Sequence, residues 1–135
     1  MKDIKLFYWS SKVFEHKAQE NYGDLLSKFI VEQVSGAGVR FFNAPKQRKS
    51  IFKSSYLMGI GSSLAHAQRK ASVWGSGIIS KEDTFEQATF YAVRGPLSRK
   101  RVLELGYECP AVYGDPALLL PLYYQPKKQA RRALG

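Results

Sequence analysis

The sequence predicts an α/β fold built on a mainly parallel sheet. Short runs of β-branched and aromatic residues alternate with segments of helical periodicity along the chain, the pattern of strand–helix–strand units. Gly- and Ser-rich turns follow several of those runs, where a strand would end and a helix begin. The chain has 135 residues, 44% hydrophobic and 24% charged. That suits one globular domain and argues against a disordered chain.

The first strand is expected from Ile4 to Trp9, a β-branched and aromatic run. Ser10 to Glu20 is polar and reads as a loop. Behind Asn21-Tyr22-Gly23-Asp24, the residues Leu25, Leu26, Phe29, Ile30 and Val34 recur at helical spacing. Gly36 and Gly38 end that helix, and Val39 to Phe42 form the second strand. Residues 44–53 are a basic connection. Tyr56 to Ile60 is a short buried-type strand running into Gly61-Ser62-Ser63, and Leu64 to Gln68 suit one or two helical turns. Ser72-Val73-Trp74 and Phe90 to Val93 are the next strands. A helix follows from Pro96 to about Leu105, with proline suited to its first turn and Gly106 to its stop. Ala111-Val112-Tyr113 is a sixth strand. Residues 1–125 make a Rossmann-like domain, and 126–135 form a basic, polar tail or linker.

Lys and Arg number 21 against 11 Asp and Glu, a net charge of +10. That excess favours anionic partners: phosphate groups, nucleic acid or an acidic membrane surface. The basic run Lys46, Arg48, Lys49 and Lys53 could meet nucleic acid or lipid headgroups, or simply be solvated. It lacks the interleaved aromatic platform of single-strand binders, which disfavours nucleic acid. Cys109 is the only cysteine, so neither an internal disulfide nor a Cys-based zinc site is expected. His16 and His66 have no ligand-like spacing, and no metal is expected. No apolar run approaches the ~18–20 residues that span a bilayer, and no secretory signal opens the chain. A cytoplasmic protein, with peripheral contact at the inner face of the cell membrane, is the expectation.

Arg94-Gly95-Pro96-Leu97-Ser98 is the segment richest in chemistry. A helix N-terminus offers open N–H groups and partial positive charge. Arg94 ahead of it can grip a phosphate or carboxylate, and Ser98 adds a hydroxyl, so the segment reads as a small-anion cradle or merely as a helix start. Gly59-Ile60-Gly61-Ser62-Ser63 and Gly75-Ser76-Gly77 allow close backbone approach to a ligand, or are simply tight turns. Neither is a dinucleotide fingerprint, because Leu64 stands where a third Gly would fall. Asn21 or Asp24 caps a helix, and Gly23 leaves room for a ligand. Asp115 before Pro116 reads as a helix cap. His66 follows Gly61-Ser62-Ser63 closely, and faces the same cleft as a proton donor or is an ordinary helix-face histidine.

Five segments in this order resemble the polysaccharide pyruvyl transferase family, in its bacterial exopolysaccharide branch. They are Asn21-Tyr22-Gly23-Asp24, Gly59-Ile60-Gly61-Ser62, Val73-Trp74-Gly75-Ser76-Gly77, Val93-Arg94-Gly95-Pro96-Leu97-Ser98 and Val112-Tyr113-Gly114-Asp115-Pro116-Ala117. The resemblance covers nearly the whole chain but only the N-terminal half of the family. It implies one half of a GT-B-type fold, with the site between two Rossmann-like halves. The implied activity transfers the pyruvyl group of phosphoenolpyruvate to a sugar or lipid-linked glycan as a ketal, releasing phosphate. No cofactor or metal is implied. Arg94 and Ser98 are expected to hold the donor anion, with Asn21, Gly61, Ser62 and Ser76 as further substrate contacts. Asp24 and His66 are the candidates for proton transfer. The family's C-terminal His and Arg have no counterpart after Pro121, so a missing half or a partner chain is expected to complete the site.

Overall fold

The computed structural model describes residues 3–19, 22–114 and 116–123, with side chains 22–24, 117, 120 and 123 not included. Asn21, Asp115, the Asp24 side chain and the 126–135 tail therefore lie outside the described residues. The elements are β1 (Ile4–Phe7), α1 (Ser11–Phe14), α2 (Tyr22–Ser35), β2 (Val39–Phe41), α3 (Ala44–Gln47), β3 (Tyr56–Met58), β4 (Ala71–Trp74), β5 (Thr89–Ala92), α4 (Pro96–Glu104) and α5 (Leu120–Tyr123). Two 3₁₀ turns, Leu64–His66 and Pro116–Leu119, complete the order.

All five strands are parallel, in the order β2-β1-β3-β4-β5. This is an α/β, Rossmann-like sheet with flanking helices, as the alternation of patterns predicts. Each parallel connection must return across a face of the sheet, which puts every strand's carboxyl end at one edge.

Side-chain alternation divides the core between the two faces. Leu6 and Tyr8 pack with Val31 and Val39 on the α2 face, with Leu57 and Trp74 against them. Phe7, Met58, Val73 and Phe90 join Leu64, Ala67, Phe85, Val102 and Cys109 on the other. The buried stripe of α2 is Ser27, Ile30 and Val31, whereas Leu25 and Val34 are exposed. The predicted stripe is thus rotated. Ser27 occupies the inner row and faces Gly59, where an added Cβ would lie 3.6 Å from the serine Oγ. Gly36 ends α2 with φ +68°, the left-handed stop its sequence position predicts.

Further local expectations differ: β1 ends at Phe7 rather than Trp9, and the 44–53 connection opens with α3, capped by Asn43, whose Oδ1 accepts the Lys46 N–H at 3.1 Å. The segment read as a loop contains α1, because the Ser10 hydroxyl accepts the Val13 N–H at 3.2 Å and caps a helical turn. The expected sixth strand is a single parallel bridge, Val93 to Tyr113, held by Val93 N–H to Val112 C=O (3.2 Å) and Gly114 N–H to Val93 C=O (3.1 Å). Val112 and Tyr113 are largely exposed, and Pro110 and Gly114 bracket them. With so little apolar surface to bury, the ladder does not extend. Among the described residues no helix is long and apolar enough to cross a membrane.

Candidate functional site at the carboxyl edge of the sheet

β1 has β2 on one side and β3 on the other, so the chain reverses its direction of progress across the sheet at this point. Open parallel sheets hold ligands in the crevice at such a reversal, outside the carboxyl ends of the strands. A cavity of about 650 Å³ lies there, lined by Tyr8 and Trp9 beyond β1, Ile60 to Ser63 beyond β3, His66 and Ile79. A second cavity of about 700 Å³ adjoins the start of α4 and is lined by Ile78, Ile79, Arg94 to Ser98 and charged side chains. Both volumes fall in the range of small-molecule sites. Ile79 lines both, and the pair Ser62 and Arg94 stands between them.

Arg94 is fixed at this junction. Its Nη1 donates to Ser62 Oγ at 2.5 Å and its Nη2 to Ile78 C=O at 2.6 Å. The guanidinium lies against the backbone of Gly77, where an added Cβ would meet its Nε at 2.5 Å. A guanidinium has five N–H donors, so the remaining ones are left for an anion. Immediately after it comes the start of α4. Gly95 occupies the N-cap position without a side-chain cap, and Pro96 contributes no N–H. The N–H groups of Leu97 and Ser98 precede the first bond of the helix, Arg99 N–H to Gly95 C=O at 3.1 Å. Arg94 and this terminus present positive charge to one place. Lys81, Lys100 and Arg101 line the same cavity against Glu82 and Glu104, which raises its attraction for anions.

The serines divide by exposure. Ser62 is exposed and holds Arg94. Ser76 is fully buried, its hydroxyl donating to Gly59 C=O at 2.5 Å and lying 3.4 Å from Ser63 Oγ. It braces the β3 and β4 turns against each other. Ser98 is also buried, and its Oγ accepts the Ile78 N–H at 3.2 Å. Arg94 takes the carbonyl of the same residue, so Ser98 and Arg94 together fix the loop between the cavities. Gly61 has φ +112° and open space where a side chain would lie, which leaves the turn accessible.

His66 closes the first cavity. Its ring packs 5.1 Å from Phe7 and 5.9 Å from Trp9. Its carbonyl accepts the Tyr56 hydroxyl at 2.9 Å, and that oxygen accepts the Gln68 N–H at 3.0 Å. Burial pushes the Tyr56 phenol up to about 12, so it remains a donor across the physiological range. Burial, aided by Arg48 and opposed by Asp83, lowers the His66 pKa below its ordinary 6.5.

Between the unfolded and folded values, an unfolded chain takes a proton that folded His66 refuses. The stability this supplies is complete above 6.5 and falls as the solution is acidified through the lower folded pKa. The urea midpoint is therefore expected to drop between pH 7.5 and pH 5, with a smaller drop in His66→Gln. A resonance assigned to the His66 imidazole and titrating at or above 6.5 would contradict this.

The structure thus gathers His66, Gly61, Ser62 and Arg94 at one edge, with Ser76 and Ser98 enclosed behind them. Tyr8, Trp9 and Ile79 also line the site and escaped the sequence reading, which placed Tyr8 and Trp9 within the first strand, whereas β1 ends at Phe7. Their signal was position, since residues just past a parallel strand's carboxyl end face the crevice. No protein-family model matches the sequence, and no curated protein or solved structure matches it.

Proposed function

We propose that this domain binds phosphoenolpyruvate at the carboxyl edge of its sheet and forms one half of a pyruvyl transferase of exopolysaccharide synthesis, working in the cytoplasm. The observation that carries this reading is Arg94, held between Ser62 and Ile78 directly before the open N-terminus of α4. A planar guanidinium beside free backbone N–H groups suits a compact donor bearing both phosphate and carboxylate. The order of the five sequence segments supplies the reaction class.

In that reaction, carbon 2 of phosphoenolpyruvate becomes bonded to two sugar oxygens. Carbon 3 takes a proton and becomes a methyl group. The bond from carbon 2 to the phosphate oxygen breaks, and the phosphate leaves with the second hydroxyl proton. The acceptor sugar, free or lipid-linked, belongs in the 650 Å³ cavity beside Tyr8 and Trp9. A lowered pKa keeps His66 neutral near pH 7, the state in which it accepts a hydroxyl proton. A second half-domain or partner chain would close the cleft and exclude water.

The test is titration of the isotopically labelled chain with phosphoenolpyruvate, followed by nuclear magnetic resonance. Saturable shifts are expected at the Leu97 and Ser98 amides and the Arg94 side chain, reversed by inorganic phosphate. No shift up to about 10 mM, weaker than a 1 mM dissociation constant, would overturn the reading.

A further inference from the structure

The molecule carries a second unusual surface at the opposite edge of the sheet. Ile51 and Phe52 are 87% and 81% exposed, more than any other large hydrophobic side chain among the described residues. They are held there by a closed loop. Gln47 is buried, and its side-chain amide meets Ser54 twice: Ser54 N–H to Oε1 at 2.7 Å and Nε2 to Ser54 C=O at 3.1 Å. Gln47 also reaches buried Gln68 at 3.3 Å. Within the loop, Ser50 N–H donates to Gln47 C=O at 2.9 Å and Phe52 N–H to Ser50 Oγ at 3.1 Å. A loop fastened in this way presents two adjacent apolar side chains to water, where they gain nothing from burial.

The segment carrying that pair is cationic, although Glu86 from a later segment accepts the Arg69 N–H at 3.1 Å beside Lys70. From Gln33 to Lys81 the chain contains no Asp or Glu. Lys53 Nζ donates to the carbonyls of Gln47 (2.7 Å) and Arg48 (3.0 Å), Lys70 Nζ to Lys53 C=O (3.1 Å), and Arg48 Nη2 to Ala65 C=O (2.8 Å). Lys46 and Lys49 are exposed on the same segment. Carbonyls orient these cations without neutralising them. Neither ion pair among the described residues includes any of them. Residues 53–55 and Lys70 lead into β3 and β4 at the amino edge of the parallel sheet, whereas Arg48 reaches across to the turn that holds His66.

We propose that the Gln47–Ser54 loop docks the domain on an anionic lipid bilayer. Ile51 and Phe52 enter the acyl boundary while Lys46, Arg48, Lys49, Lys53 and Lys70 meet the headgroups. Apolar side chains with flanking lysines and arginines are what an anionic membrane interface accepts, each part adding to the other. A nucleic acid would be served by the cations and by one aromatic ring, but Ile51 has no task there. This inference does not depend on the ligand that the carboxyl-edge cavities take.

The test is co-sedimentation of the 135-residue chain with phosphatidylcholine vesicles, alone or with about one third phosphatidylglycerol. Binding is expected only to the anionic vesicles and should weaken as salt rises from about 0.05 to 0.5 M. The double substitution Ile51→Ser and Phe52→Ser should lower the partition coefficient by about tenfold or more, with the thermal midpoint unchanged. Lys49→Glu should weaken binding at low salt and flatten the salt dependence. Anionic vesicle binding that the double substitution leaves intact would overturn the proposal in favour of simple adsorption. Equal binding to both vesicle types, or none at low salt, would also overturn it. So would binding of a single-stranded RNA oligonucleotide with no binding to vesicles.

Discussion

Replacing Arg94 with alanine is expected to weaken phosphoenolpyruvate binding by about 100-fold or more. Hydrogen bonds to charged groups contribute about 1.5–3 kcal/mol each, and two directed at one anion reach that loss. The substitution also removes the bonds to Ser62 Oγ and Ile78 C=O. The loop at 78 should loosen, at a cost of about 1–2 kcal/mol. Urea unfolding of the variant separates that cost from the loss of affinity, provided binding is measured where the variant remains folded. Arg94→Lys should recover little. One ammonium group cannot hold the two oxygens and an anion in the planar arrangement that the guanidinium allows. Ser62→Ala is the contrasting case. It leaves the guanidinium in place through Ile78 and should reduce affinity by less than tenfold. If Arg94→Ala bound the donor as tightly as the unaltered chain, the anion site would have to lie elsewhere.

The fold was legible where local chemistry and burial agree. α2 and α4 are bounded by residues that decide their own conformation: Pro96 at the first turn of α4, Gly36 after α2, and Gly106 after α4 with φ +86°. The stripe of α2 was misread because hydrophobicity alone defined it. A small hydroxyl residue, Ser27, takes the inner row facing Gly59, and that depends on a neighbour from another element. Ser10 and Phe14 show the converse. A cap and a ring stacked on Trp9 (centroids 4.4 Å apart) make a helical turn from a stretch with no periodicity to read.

The site was legible as a set of segments but not as a set of directions. Turn chemistry puts Ser62, Ser76 and Ser98 near the carboxyl edge, and all three are there. Which hydroxyl faces outward depends on packing between turns. Ser76 turns to Gly59 and Ser98 to Ile78, whereas Ser62 alone remains exposed on Arg94. The two glycines around Ser76 have separate reasons, which only the assembled edge reveals. Gly77 makes room for the Arg94 side chain, and Gly75 makes room for the Pro116 ring and the Gly114 carbonyl.

Gly75→Ala is accordingly expected to be the most damaging of the glycine substitutions, costing about 3 kcal/mol or more. Gly75 has φ +95°, a conformation that strains any L side chain. An added Cβ would also lie 2.8 Å from Gly114 C=O and would overlap the Pro116 ring. The clash has no easy release. Gly75 N–H is bonded to Ala92 C=O at 2.9 Å, and Gly114 is tied to Val93. Relief would require pushing out the Pro116–Leu119 turn, which packs against α2. Two companions separate the causes. Gly61 has φ +112° but nothing within 4 Å of an added Cβ, so Gly61→Ala should cost only the backbone strain, about 1 kcal/mol. Gly114 has neither a positive φ nor a neighbour within 4 Å, and Gly114→Ala should change stability by about 0.5 kcal/mol or less. Urea midpoints for the three variants should therefore rank Gly75→Ala lowest and Gly114→Ala nearest the unaltered chain. Equal losses at 75 and 61 would mean that backbone strain alone sets the cost. The close approach of Gly114 and Pro116 to β4 would then contribute nothing to holding that edge together.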